Sequence, residues 1–408
     1  MSDSRIAETA PAWKTLLILS ALMAFGPLST DLYLPALPTM GRALRAGPDE
    51  MALTLSSYLV GFSMGQLMWG PIGDRFGRRL PVAVGLALFV IGSAGCGAST
   101  TALQLIGWRV AQSIGASAGP VLARAMVRDL FARERSAQML SNLMTVMAIA
   151  PLAGPFIGGQ ILAAASWRAI FWTLMGLGLA ALLAMLALPE TLPAERRSRQ
   201  SIRAALAGYA TLARDSRLIG YAAMGGLYYG GIFAYIAASP FAYIDFYHVR
   251  PQIFGVFFAL PIIGIMAVNQ LNTRLVLRVG GDLLCRVGTG AAAAAGILAL
   301  IEARSGWGGF GGIVAAIVVY GASSGLIVAN SVAGALAAFP TRAGAASAFV
   351  GAIHYGSGIL SAALVGWLAD GTPTPMTAIL AAGGIGSFLC AMRLTPAAAD
   401  AAPLAVLK

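Results

Sequence analysis

Charge is scarce in this chain. Of 408 residues, 11% are Asp, Glu, Lys or Arg, against roughly 25% in a soluble domain that must keep its surface hydrated. That shortage excludes a soluble globular protein. Lysine is nearly missing: Lys14 and Lys408 are the only two, so arginine carries almost all of the formal net charge of +11, a bias of genomic composition. The basic residues form no patch with interleaved aromatics, which removes nucleic acid as the reason for the charge. The three cysteines, Cys96, Cys285 and Cys390, are odd in number, far apart and without metal-ligand spacing. Neither a disulfide framework nor a metal site is expected. No Gly-x-x-x-x-Gly-Lys-Ser/Thr loop is present to cradle phosphates, and no paired carboxylates serve hydrolytic chemistry. The reading is therefore no enzyme, no cofactor, and work drawn from a gradient.

What the chain has in quantity is apolar length. It is 58% hydrophobic with a mean hydropathy of +0.79. A span of about 20 apolar residues crosses the roughly 30 Å hydrocarbon layer as a helix. Such spans are expected at about 14–37, 51–72, 80–99, 102–126, 138–164 and 168–188, and again at 218–245, 252–277, 283–302, 309–337, 344–369 and 375–394. An arginine-rich stretch, 189–217, separates the two sets. The fold class is thus an all-α membrane protein of twelve transmembrane helices in two six-helix bundles, 1–188 and 218–408. Residues 1–12 lack a basic region before a short apolar core, so no cleaved leader is expected.

The arginines fix an orientation. With both termini in the cytoplasm, inner loops hold Arg75, Arg78, Arg79, Arg124, Arg128, Arg133 and Arg135, the linker cluster Arg196 to Arg217, and Arg274, Arg278, Arg286 and Arg342. Outer loops hold only Arg42, Arg45, Arg168, Arg250 and Arg304. Short positively charged loops stay inside. Sliding the second half onto the first by about 204 residues lays Gly77 on Gly281 and Gly154 on Gly358, a parallel repeat that has decayed. The slide leaves Asp31 and Arg109 opposite Tyr235 and Ile313, so the charged chemistry belongs to the first half.

Three stretches stand out within that frame. Gly70-Pro71-Ile72-Gly73-Asp74-Arg75-Phe76-Gly77-Arg78-Arg79 reads as a tight turn between two spans, with Asp74 placed to cap a helix end or pair with an arginine. Asp31 lies in Gly26-Pro27-Leu28-Ser29-Thr30-Asp31-Leu32-Tyr33-Leu34-Pro35, a span interrupted by helix breakers, about 25 Å from the inner boundary at 1.5 Å per residue. It reads either as a water-exposed outer cap or as an intramembrane carboxylate. The latter is costly to keep charged and therefore suited to take up and release a proton. Arg109 lies at similar depth in the fourth span, with Gln112 one turn away and Gly115 and Gly119 on a small-residue stripe. In the fifth span, Ala150, Gly154 and Gly158 recur every four residues and make a flat face for another helix.

These stretches resemble three motifs of the major facilitator superfamily. Gly70, Asp74, Arg75, Gly77, Arg78 and Arg79 resemble motif A, which implies a cytoplasmic gate that clamps the two halves in one state. Arg109-x-x-Gln112, followed by Ser113 where the family has glycine, resembles motif B, whose arginine is implicated in proton coupling. Gly154-Pro155-x-x-Gly158-Gly159 resembles the antiporter motif C, which points to export. Ser29 to Pro38, Tyr235 to Phe241 with Gln252 to Gly255, Asn330-Ser331 and Gly344 to Ala348 are similar to the bicyclomycin and chloramphenicol resistance (Bcr/CflA) antiporters. The resemblance implies a proton-coupled multidrug exporter in a bacterial inner membrane, acting by alternating access, with Asp31 matching the family's first-helix acid.

Tyr33, Gln112, Tyr228, Tyr229, Phe233, Tyr235, Asn330 and His354 are the candidate substrate contacts. Aromatic faces with a few polar groups suit amphipathic molecules. His354 can titrate or bond a neighbouring helix, and the second is the commoner role. The expected partners are a small-molecule substrate, protons and membrane lipid, and the protein is expected to be a monomer. A metabolite or amino-acid exporter is the alternative. A membrane sensor would need a signalling domain and an intramembrane enzyme a nucleophile or metal, and neither is found.

Overall fold

The computed structural model describes residues 12–131, 133–186, 188–197, 211–339 and 343–394. The N-terminal segment 1–11, linker residues Arg199 and Arg203, Arg342 and the C-terminal tail lie outside the described residues, as do the side chains of Arg133 and Arg135.

An apolar run in hydrocarbon must satisfy its own backbone, and the helix does so within one segment. Twelve rods result. The first is broken: α1 (Ala12–Asp31), a 3₁₀ turn (Leu34–Ala36) and α2 (Leu37–Leu44). Then come α3 (Pro48–Phe76), α4 (Arg79–Ala98), α5 (Ala102–Leu130), α6 (Arg133–Ala164) and α7 (Trp167–Met185). The second set is α8 (Ser216–Pro240), which runs into a π-turn (Phe241–Phe246), then α9 (Pro251–Val279) and α10 (Gly281–Ser305). A broken tenth rod follows, α11 (Gly309–Ala322) and α12 (Ser324–Leu336), then α13 (Ala343–Trp367) and α14 (Thr374–Arg393). Among the described residues there is no strand.

Among the described residues, nine of these rods are long and apolar enough by composition to cross a membrane. Helices α3 and α5 are long but carry Asp74 and Arg75, and Arg109 and Gln112, and the apolar stretch of α6, Ile149–Ala164, is shorter. Leu277, Leu103 and Leu360 are 90%, 78% and 74% exposed, a surface no water-soluble protein carries so widely. Trp307 and Trp367, exposed near rod ends, fit an interfacial aromatic belt.

By contact the chain forms two compact units: Met1–Leu206 with Tyr243–Phe258, and Ala207–Ala242 with Ala259–Lys408. In unit 1, α5 is the central rod, packed on α1, α3 and α4. In unit 2, α8 packs on α13 and α14, and α14 on α10. The segment Tyr243–Phe258 follows α8 in the chain yet packs with unit 1, where Gly255 stands against Pro155 and Phe156 of α6.

The motif A stretch differs from the tight turn expected. Helix α3 continues through Gly70, Pro71, Gly73, Asp74 and Arg75 to Phe76, and the turn is confined to Gly77, at φ +90°, and Arg78. A proline inside a membrane helix is tolerated when neighbours re-satisfy the backbone. Gly73 is there for space, since a Cβ would lie 2.5 Å from Leu122 Cδ2 and 3.1 Å from Arg78 Nη1. The corresponding left-handed glycine in the second half is Gly280, at φ +81°, not Gly281. The repeat is therefore offset by one residue at this loop.

Candidate functional site

Arg109 is wholly buried on α5. Its guanidinium carbon lies 4.2 Å from the ring centroids of both Tyr33 and Tyr58, so two rings sandwich the planar cation. Nη1 donates to the Ser29 carbonyl at 2.9 Å and to Gln112 Oε1 at 2.7 Å, and Nε donates to the Thr54 carbonyl at 3.4 Å. Gln112 in turn donates to Ser93 at 2.8 Å, and the Tyr33 hydroxyl meets Thr54 Oγ1 at 3.2 Å. Carbonyl dipoles and π faces thus replace part of the water that a buried cation loses, while Nη2 is buried with no hydrogen-bond partner among the described residues. Tyr33 and Gln112, expected to contact substrate, belong to this cage and have no exposed surface. Tyr58, Thr54 and Ser29 complete it and were not anticipated.

Asp31 ends α1, because Pro35 and Pro38 withhold the backbone donors that would continue the helix. It is 5% exposed and forms no ion pair among the described residues. Arg109 bonds the first rod at Ser29, two residues before Asp31. A direct Asp31–Arg109 pair is not formed. The motif C glycines explain where the break sits. Gly154 faces Asp31, where a Cβ would lie 3.1 Å from Asp31 Cβ, and Gly158 faces the Leu32 carbonyl. Gly159 turns to the Pro251 carbonyl, and Gln160 donates to the Gln252 carbonyl at 3.2 Å. Pro155, beside Gly255, sits within the same face. One helix, α6, therefore touches both the acidic break of the first rod and the start of α9.

The loop after α3 is an ionic knot. Arg78, nearly buried, pairs with Asp74 at 2.7 Å and with Asp129 on α5 at 2.8 Å. Burial opposes the Arg78 charge, but these carboxylates outweigh it and hold the guanidinium above its ordinary value. Glu190, in the segment after α7, accepts from the backbone N–H of Arg78 at 2.8 Å, of Arg79 at 3.2 Å and of Leu192 at 3.0 Å. Burial alone would raise the Glu190 carboxyl, yet those amides and Arg197 hold it below the usual carboxylate range. Gly77 is required twice, by its left-handed φ and because a Cβ would strike Glu190 and Arg197. Arg79 donates to the Leu186 carbonyl at 2.8 Å, whereas Arg75 lies over the Phe76 ring at 5.6 Å. Asp74 caps no helix N-terminus; it closes the C-terminal end of α3 by pairing with Arg78. All these contacts lie within unit 1.

Unit 2 gathers rings. Tyr229 and His354 stack at 4.9 Å, Tyr229 meets Phe233 at 6.0 Å, and Phe233 meets Tyr355 at 5.8 Å. Tyr228 and Tyr320 are parallel at 5.1 Å, and each hydroxyl donates to a backbone carbonyl of the other's helix. Tyr228 is therefore a fully buried clasp between α8 and α11. Tyr235 is buried on the same helix. Asn330 is not with the rings: it donates to Asn272 at 2.7 Å and sits against Gly281 at the start of α10. Tyr229, Phe233 and His354 are brought together; Tyr355, one residue beyond His354, joins them unforeseen. Among the described residues no cluster of three His, Cys, Asp or Glu could hold a metal.

The chain is 35% identical over 368 residues to the uncharacterized MFS-type transporter YdgK of Bacillus subtilis, covering 89% of this chain and 90% of that one. It is 32% identical over 371 residues to the bicyclomycin resistance protein homolog of Haemophilus influenzae, again covering 89% and 90%. A crystal structure of the nucleoside transporter NupG superposes with a TM-score of 0.74 over 93% of this chain and 98% of that one, at 13% identity, and so shares the fold. The family model described as Major Facilitator Superfamily matches residues 17–362. With twelve rods, a broken acidic first rod and an ionic knot after the second, this multi-pass membrane protein belongs to the Major Facilitator Superfamily.

Proposed function

We propose that the protein is a proton-coupled antiporter that exports small amphipathic compounds across the bacterial cytoplasmic membrane by alternating access. The observation that carries the reading is Asp31: a buried carboxylate with no ion pair among the described residues, at the break of the first rod and pressed against the motif C face of α6. An ionisable group in that setting changes its protonation with its surroundings. Asp31 takes a proton when exposed to the outer side and releases it inward. Arg109, fixed two residues away by Ser29, supplies the positive field that favours the released state. The motif A knot is the inner gate, and Tyr229, Phe233, Tyr355 and His354 form the apolar surface on which substrate rests. The bundles 1–188 and 218–408, joined by 189–217, move as the two halves of a monomer with both termini in the cytoplasm. The drug-resistance names of relatives favour export of antibiotics over export of a metabolite.

Expression in an efflux-deficient bacterium tests this. Resistance should rise for more than one amphipathic antibiotic and vanish with a protonophore. Efflux of amino acids with no change in any drug susceptibility would replace the substrate class. Efflux insensitive to the protonophore would remove the proton.

A further inference from the structure

We propose that the corner where α8, α10 and α14 meet is a binding site for the phosphate of an anionic phospholipid. Three arginines from three rods converge there: Arg217 in the first turn of α8, Arg286 on α10 and Arg393 at the end of α14. Arg217 lies 5.8 Å from the Tyr221 ring, and the Tyr221 phenol donates to Asp282, one turn before Arg286. Arg286 Nη2 donates to the Leu394 carbonyl at 3.1 Å, and Leu394 packs on Gly220, one residue before Tyr221. The links close a ring around Tyr221 and Leu394.

None of these arginines has an ion pair among the described residues. Of the nearby carboxylates, Asp215 is the N-cap of α8, accepting from Leu218 N at 2.7 Å, and Asp282 accepts from the phenol through Oδ1 while its Oδ2 is buried without a hydrogen-bond partner among the described residues. Arg217 Nε is buried without a partner. Three cations beside one half-buried carboxylate leave an excess of positive charge that attracts an anion, and guanidinium forks suit phosphate. The neighbouring surface selects a lipid over a free ion. Leu283 and Val287 on α10, and Leu389 and Met392 on α14, are half exposed or more, adjoining Arg286 and Arg393 in sequence. An acyl chain can lie on that strip while its phosphate meets the arginines. Basic pockets between transmembrane helices on the cytoplasmic side take acidic headgroups in this way.

The leaflet assignment rests on the proposed orientation, but the site itself is tested without transport. The full chain is reconstituted in vesicles of phosphatidylethanolamine with one fifth phosphatidylglycerol, then extracted in detergent, and bound lipid is read by native mass spectrometry. Wild type should retain phosphatidylglycerol in preference to phosphatidylethanolamine. Arg217→Gln/Arg286→Gln/Arg393→Gln should lose at least about tenfold of that retention, equivalent to 1.4 kcal/mol. Arg393→Gln, at an exposed position, should lose part of it with unchanged helicity and thermal unfolding. Arg274→Gln, on α9 outside the corner, should keep it. Equal retention by the triple variant and wild type, no preference in wild type, or displacement by millimolar inorganic phosphate would each overturn the lipid site.

Discussion

Glycine makes room for rings in both units, Gly95 for Trp108 and Gly178 for Phe89 in unit 1, but in unit 1 it also brings helices together around a buried charge. In unit 1, Gly61 and Gly65 of α3 stand against Ser113 and Ser117 of α5, and Gly92 of α4 against Gln112. These close approaches bring backbones together around a polar network with Arg109 at its centre. In unit 2, Gly225, Gly231, Gly334 and Gly358 stand against His354, Tyr320, Tyr221 and Phe233. Each is a notch for a ring. A charge caged by carbonyls has one good arrangement, because any N–H pulled from its partner is desolvated at full cost. A ring in a notch can tilt or slide with little loss, because dispersion is spread over many weak contacts. Under the proposed function, that difference suits unit 1 to coupling and unit 2 to substrate tolerance, and substitutions in each unit test that division.

The largest effect is expected at Asp31. Asp31→Asn keeps the size of the side chain and removes its charge, so gradient-driven efflux should fall to background for every substrate while the protein inserts and folds. Counterflow of substrate at equal pH should survive, since it needs no proton. Full efflux by the Asn variant in proteoliposomes with an imposed pH gradient would take Asp31 out of the mechanism.

Arg109→Lys comes next. An ammonium keeps the charge but cannot lie flat between Tyr33 and Tyr58 while donating to Ser29, Thr54 and Gln112. Disrupting a buried charge network costs on the order of 3–5 kcal/mol. The variant should unfold at lower temperature in detergent and lose transport of all substrates alike. Normal stability with selective loss of one substrate would move Arg109 to the substrate surface and undo the division between units.

Much of this was legible in the sequence. The twelve rods follow from apolar length, and a break near Asp31 from the helix breakers around it, although α1 runs unbroken through Gly26 and Pro27 and stops only ahead of Pro35. What stayed hidden depends on distant packing. Tyr58 and Thr54 are ordinary residues of a helix until α5 brings Arg109 to them. Glu190 looks like part of a polar linker, and only the fold shows its oxygens under the Arg78 and Arg79 amides. Tyr228 could not be told from Tyr229 by composition, because a one-residue step on a helix turns the side chain by about 100°. That step separates a clasp from a ring surface.

The two tyrosines therefore make a matched pair. Tyr228→Phe loses a hydroxyl that serves two buried carbonyls, Tyr320 and Gly321. It should lower stability by about 1–3 kcal/mol, the cost of stranding buried polar groups, with little change in which drugs are carried. Tyr229→Ala opens the stack on His354 and should change the ranking of substrates while unfolding is less affected. The reverse pattern, measured by thermal unfolding and a panel of drug susceptibilities, would exchange their roles.

The smallest effect is expected at Arg42 and Asp245. Arg42 on α2 meets Asp245 of the π-turn at 3.2 Å, with 66% and 44% of the two side chains exposed. Exposed pairs contribute about 0–1 kcal/mol, so the bond is a weak tie on the segment Tyr243–Phe258. A tie of that size biases a population without fixing it: 1 kcal/mol changes an equilibrium constant about fivefold. Arg42→Asp places two carboxylates opposite each other and should shift the equilibrium between carrier states by no more than a few fold. The change should appear in turnover, not in substrate affinity, and 1 M salt should shrink it, because the Debye length there is about 3 Å. Arg42→Asp/Asp245→Arg should restore the wild-type rate by reversing the pair. If the single variant abolishes transport and the double variant does not rescue it, Arg42 belongs with the buried charges of unit 1 and not with its outer surface.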